Sequence, residues 1–196
     1  HTRFEVAGVP VFYLPYFYFP LDDTRRSGFL YPTISSDESN ELDIALPYYF
    51  NIAPNIDDTL TTRIIQQRGI MFENELRYLN AFSMNTLNTG YLSSDDMRNS
   101  DDRWLINFNH SGHPAPGFSS AIEYSRVSDG DYFENLTPTE MRVPTGDNLD
   151  QSASISYGAS TWTATALVHD YQNIHGSSEP YARVPQLTLS GAESYS

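Results

Sequence analysis

The sequence predicts an all-β protein, its antiparallel strands forming part of a large transmembrane β-barrel that is incomplete in this chain. Three observations carry that expectation. Apolar side chains recur at period two over runs of about ten residues. No segment holds a helical period. The residue mix, with 14 Tyr, 11 Phe and 2 Trp in 196 residues and much Thr, Ser and Asn, suits a pleated sheet better than a helix.

The first element is Val9–Leu21, VPVFYLPYFYFPL, apolar and aromatic almost throughout. It carries Pro10, Pro15 and Pro20, each of which removes a backbone donor from a sheet ladder. A strand that suits burial but cannot pair along its whole length is a conflict between levels, and such conflicts mark function. After the polar turn Asp22-Asp23-Thr24-Arg25-Arg26 comes a strand at Gly28–Ile34, with Pro32 inside it. Leu42–Ala53 alternates most cleanly. Leu42, Ile44, Leu46, Tyr48, Phe50 and Ile52 share one face, and Asp43, Ala45, Pro47, Tyr49, Asn51 and Ala53 the other. Ile70–Asn80 places Ile70, Phe72, Leu76 and Tyr78 opposite Met71, Glu73, Glu75, Arg77 and Leu79. Trp104, Ile106 and Phe108 oppose Arg103, Asn107 and Asn109. Thr59–Gln67, Phe82–Leu92, Phe118–Val127, Leu149–Gly158, Trp162–Tyr171 and Val184–Leu189 complete roughly eleven strands.

Connections are short at Pro54–Asp58, Gln67–Gly69 and Gly158–Thr161, and long and polar at Ser93–Asp102, Ser128–Asn148 and Gln172–Arg183. Short and long do not alternate cleanly, so orientation in a membrane stays open. The chain starts just before a strand and stops in or after one, which predicts a piece of something larger.

Two all-β architectures compete. In a soluble sandwich, here a carbohydrate-binding module using surface aromatics, the apolar face points into a core. In an outer-membrane barrel that face meets lipid and the polar face lines a lumen. Strand length favours the barrel, because a tilted membrane strand needs about 9–11 residues whereas ordinary strands run nearer 5–6. Tyr and Trp near strand ends fit interfacial girdles.

Charge excludes other classes. All 11 basic residues are Arg, against 25 acidic ones, for a net charge of -14, which opposes nucleic-acid binding. No Cys is present, so these residues form no disulfide or thiolate metal site. Glu73 and Glu75 lie about 7 Å apart on one strand face, a spacing open to a glycosidase pair but ordinary on a polar sheet face. His110 and His113 lack a third ligand nearby, Asp129-Gly130-Asp131 lacks the remaining acids of a calcium loop, and His169-Asp170 has no serine motif. No catalytic residue, metal or cofactor is expected.

The runs TRFEVAGVPVFYLPYFYFPLDDTRRSGFLYP, LPYYFNIAPNIDDTLTTR and QRGIMFENELRYL, followed by RWLINFNHSG and YSRVSDGDYF, occur in this order. Together they resemble the LptD family of lipopolysaccharide-assembly proteins of the bacterial outer membrane. The likeness is dense to about Phe133 and diffuse from there through VPQLTLSG. It implies a periplasmic jellyroll followed by a large barrel, an LptE-like lipoprotein plug, delivery of lipopolysaccharide by an LptA-like periplasmic bridge, and a lateral opening between first and last strands. It places residues 1–8 at the end of the jellyroll or its hinge and 9–196 in the first strands of the barrel, with the family's cysteines outside this chain. Prolines at such an opening lower the number of ladder bonds, which makes Pro15, Pro20 and Pro32 the expected gate residues. Arg25 and Arg26 become candidate lipid-phosphate contacts. Glu73, Glu75 and Arg77 are expected to face the lumen.

Overall fold

The computed structural model describes residues 2–6, 9–14, 25–36, 42–139, 141–176 and 182–191. Thirteen strands follow one another: β1 (Thr2–Val6), β2 (Val9–Leu14), β3 (Gly28–Phe29), β4 (Thr33–Ser36), β5 (Leu42–Ala53), β6 (Ile56–Ile65), β7 (Gly69–Leu79), β8 (Ser83–Asp95), β9 (Asp101–Gly112), β10 (Phe118–Val127), β11 (Asn148–Gly158), β12 (Trp162–Asn173) and β13 (Arg183–Gly191). β1 and β2 form a two-stranded antiparallel sheet of their own. All the others join one antiparallel sheet of 11 strands in sequence order, with β3 and β4 both paired to β5 at one edge and β13 at the other. Neighbour-to-neighbour order is what short hairpin connections produce. The three-residue connection at 66–68 turns through Gln67 at φ +69° and enters β7 at Gly69, whose φ of +127° suits only glycine.

The period-two reading reproduces β5 and β10 residue for residue and most other strands to within a few positions. It differs at Gly28–Ile34, which is two short strands separated by Leu30–Pro32. Two helical turns also interrupt the long connections, a 3-10 turn at Asp96–Arg98 and a single α-helical turn, α1, at Tyr132–Asn135. Neither is long enough to leave a period in the sequence.

Register shows which residues share a face. One face carries the row Phe72, Tyr91 and Trp104, the row Leu76, Leu87, Phe108 and Tyr124, and the row Phe118, Tyr157, Ala164 and Leu189. Its apolar side chains are open to the surroundings: Ile52 is 59% exposed, Ile64 54%, Phe72 47% and Leu189 75%. The other face carries the buried polar residues Thr61, Arg63, Glu73, Asn88, Arg103, Asn107 and Ser125. The sheet is therefore inverted relative to a soluble domain, with oil outside and polarity within. This inversion does not favour the sandwich, whose apolar faces must be covered.

The inner face has a local core, supplied by the connection between β10 and β11. Tyr132, Leu136 and Met141 from that connection pack with Leu149 against Ile65, Met71, Leu92, Leu105 and Val127 of the sheet. The polar connection expected at Ser128–Asn148 is thus folded onto the sheet. Its Tyr, Phe, Leu, Met and Val residues are dispersed among Asp, Thr and Pro, so no periodicity announces them.

Candidate functional site: the edge seam and the buttressed inner face

The edge strand is held weakly. β3 pairs Gly28 with Tyr49 and Phe29 with Tyr48, while β4 pairs Thr33 with Ala45 and Ile34 with Ile44, so the register slips by one residue across Leu30–Pro32. Leu30 N donates to Pro47 O at 2.9 Å. In an antiparallel pair a residue turns its N–H and C=O toward the same neighbour, and a bonded pair exchanges both. Pro47 accepts but has no hydrogen to return, and Pro32 has none to offer within the slip. Side chains supply part of the deficit: Phe29 and Tyr48 stack edge-on at 4.9 Å between ring centres, and Tyr48 and Phe50 lie at 4.6 Å.

Behind this seam the inner face is tied together by arginines. Ala45, Arg63, Met71, Leu92 and Arg103 form one row across β5 to β9, with the two guanidiniums separated by apolar side chains. Arg63 reaches Asp43 of β5, Glu73 Oε1 of β7 at 2.5 Å and the carbonyl of Thr137 at 3.0 Å. Thr139 Oγ1 donates to Glu73 Oε2 at 2.8 Å, so the β10–β11 connection and the first strands share one buried ionic knot. Arg103 donates to both oxygens of Asp129 at 2.8 and 2.9 Å, to Asp95 at 3.2 Å and to Asn135 at 3.2 Å, with its guanidinium 5.5 Å from the centre of the Tyr132 ring. Gly90 makes room here, since a Cβ on it would lie 2.7 Å from the Tyr132 hydroxyl and force it to shift.

At the foot of the seam, Asp57 collects three donors. Arg77 binds it through Nε at 2.7 Å and Nη2 at 2.9 Å, Tyr49 through its hydroxyl at 3.1 Å, and Arg25 through Nη1 at 3.3 Å. Asn51 fastens the segment before β3 as a double donor: its side-chain amide donates to Arg25 O at 2.9 Å and its backbone N–H to Ser27 Oγ at 2.8 Å.

Residues 101–195 match the family model described as LPS transport system D. The chain is 39% identical over 188 residues to the LPS-assembly protein LptD of Aliivibrio fischeri, covering 95% of this chain and 24% of that protein. It is 38% identical over 202 residues to LptD of Pseudomonas putida, covering 100% of this chain and 22% of that protein. LptD of Vibrio vulnificus is 38% identical over 189 residues, covering 95% and 24%. The chain belongs to the LptD family. It spans about a quarter of the length of these relatives.

In this LptD-family chain the residues singled out in the sequence are distributed as follows. Pro32 lies in the slip of the edge strand, and Pro15 and Pro20 lie outside the described residues. Arg25 and Arg77 meet on Asp57, with Glu75 Oε1 3.7 Å from Arg77 Nε, whereas Glu73 belongs to the Arg63 knot. Arg26 follows Arg25 in the chain, immediately before Ser27 and the start of β3. His110 has its ring nitrogens 2.7 Å from Asn85 Oδ1 and 2.8 Å from Ser120 Oγ, which engages both in a side-chain network. Pro47 was missed by sequence reading, although a proline in the middle of the cleanest strand was itself a signal. Arg63, Arg103 and Asp57 were invisible, because a lone arginine on a strand does not say what it faces.

Asp129 makes the loop anchor sensitive to acid. Burial opposes its charge, but hydrogen bonds from Arg103 and Ser128 and the nearby charges of Arg103 and Arg98 outweigh this and hold its carboxyl below the ordinary range. A depressed carboxyl stabilises the fold fully above the unfolded value of about 3.9, and that contribution is lost as pH falls through the lower folded value. The methyl NMR signals of Met71 and Met141, both in the loop core, are expected to lose dispersion below about pH 4. In Asp129→Asn that acid-dependent change is expected to shrink.

Proposed function

We propose that this chain is the opening part of the barrel wall of a lipopolysaccharide transport and assembly protein in the bacterial outer membrane. The observation that carries the reading is the inverted sheet, with exposed Ile52, Ile64, Phe72, Leu187 and Leu189 on one face and buried Arg63, Glu73, Asn88 and Arg103 on the other. An apolar face meets acyl chains, and a polar face meets a lumen. The protein provides a passage and carries out no covalent chemistry. Residues 1–8 serve as the end of a periplasmic jellyroll or its hinge. An LptE-like lipoprotein occupies the lumen of the complete barrel, and an LptA-like bridge delivers lipopolysaccharide to the jellyroll.

The gate in this reading is the edge strand β3–β4, approached through Pro15 and Pro20 and weakened at Pro32 and Pro47. A strand that forfeits donors along its inner neighbour swings away from a closing strand more readily. Replacing Pro47 with Ala returns one N–H to the Leu30 carbonyl. One net hydrogen bond of about 1 kcal/mol shifts the seam roughly fivefold toward the closed form. In the full-length protein, Pro47→Ala combined with Pro32→Ala is expected to slow surface delivery of lipopolysaccharide without lowering the amount of heat-modifiable barrel. Unchanged delivery in that double variant sinks the gate. Recovery of the full-length protein as a water-soluble monomer sinks the barrel.

A further inference from the structure

The cluster at the foot of the seam has an unusual distribution of burial. Its carboxylate is the hidden member: the Asp57 side chain is 6% exposed, while those of Arg77 and Arg25 are 52% and 61% exposed. Both cations therefore keep part of their guanidinium open on the inner face among the described residues. Asp57 works as a mount. Its Oδ2 receives Arg77 Nη2, Arg25 Nη1 and the Tyr49 hydroxyl, and its Oδ1 receives Arg77 Nε. These bonds use one nitrogen of Arg25 and two of Arg77, while each guanidinium carries five N–H donors in a planar fork. The two cations exceed Asp57 by one charge, which Glu75, 3.7 Å from Arg77 Nε, balances, so what the cluster offers a ligand is its unused guanidinium donors and not a net charge.

The site also lies in the path proposed for the lipid. Asp57 pairs with Asn51, which holds Arg25 and Ser27 immediately before the edge strand begins at Gly28. Four residues along β5 is Pro47, about 13 Å away at the rise of a strand. Asp57, Arg77 and Tyr49 are on the face that carries the β10–β11 connection, opposite to the apolar one.

We propose that Arg25 and Arg77, mounted on Asp57 beside Tyr49, form a phosphate-binding site on the inner face at the foot of the seam, which receives the phosphorylated head of the transported glycolipid. Planar guanidiniums match phosphate oxygens in paired, charge-assisted hydrogen bonds, and two forks side by side suit a headgroup that bears phosphate. Held by Asp57, the pair stays ordered when no ligand is present, and its unused donors let a phosphate bind without breaking the mount. The carboxylate of Glu75 weakens the hold, which suits a station that must release its cargo. This inference rests on the passage reading above.

The test uses the full-length protein with its lipoprotein partner, reconstituted in vesicles and supplied with lipopolysaccharide, with a photo-crosslinker replacing Thr86, the β8 residue paired with Arg77. A second crosslinker replaces Asn109, which continues the same row on β9. The Arg25→Gln, Arg77→Gln double variant is expected to lower the crosslink at position 86 by about tenfold, the scale of a lost charge-assisted hydrogen bond. Enzymatically dephosphorylated lipopolysaccharide is expected to give the same low yield with both proteins. Glu75→Gln is expected to raise the yield severalfold, a gain that misfolding cannot imitate. Equal yields from phosphorylated and dephosphorylated lipid, or from the parent and the double variant, overturn the site while leaving the passage intact. No crosslink at either position overturns both.

Discussion

Replacing Arg63 with methionine is expected to cost the wall about 3–5 kcal/mol, the usual penalty for leaving a buried charge without its partner. Arg63 is the only cation among the described contacts of Glu73, whose side chain is fully buried, and it also holds Asp43 and the Thr137 carbonyl. Methionine keeps much of the volume beside Met71 and Leu92 but strands both acids. Unfolding of the full-length barrel in denaturant, followed on gels by its heat-modifiable mobility, measures the loss. A combined Arg63→Met, Glu73→Gln variant is expected to recover part of it, because the amide removes the stranded charge. If Arg63→Met alone leaves the midpoint unchanged, the knot contributes nothing net and the loop is held by its apolar residues.

Tyr132→Ala has a comparable expected cost, about 3–5 kcal/mol for a fully buried aromatic ring in a packed site. The ring lies among Met71, Leu92, Leu105 and Leu136 and beneath the Arg103 guanidinium. The hydroxyl tells a different story. It is buried and has no hydrogen-bond partner among the described residues, and burial, reinforced by the nearby Glu73 charge, pushes its pKa well up, so it stays neutral. Tyr132→Phe is therefore expected to be neutral or stabilising, since it deletes a polar atom whose desolvation is not repaid. The pair of variants separates packing from polarity in one denaturation series. A large loss in Tyr132→Phe contradicts the description of this hydroxyl.

Both predictions concern the connection between β10 and β11, the part of the chain least legible in sequence. The strands were legible because alternation follows directly from the pleat: residues two apart face the same medium, and the medium selects them. Leu42–Asn51 shows this, since its two sets fall on opposite faces as read, up to the register shift between Asn51 and Ala53. Alternation could not say which set is buried, because a sandwich and a barrel share the same string. The same limit hid the site. Asp57, Arg77, Tyr49 and Arg25 are separated by up to 52 positions from Arg25 to Arg77, and only pairing register brings them to one carboxylate. Pro47 illustrates a partial reading, in which the missing donor was visible in sequence but its neighbour was not.

The sequence by itself determined most of the strands, their two-faced pattern and the family, because each depends on local spacing or on ordered short motifs. Only the tertiary structure decided that the apolar face is the open one, that the edge strand lies at Gly28–Ser36, that a polar-looking connection folds inward as core, and that scattered arginines share carboxylates. The physical reason is that alternation is a property of one strand, whereas burial, edges and ion pairs are properties of neighbours, and neighbours are set by register across the sheet.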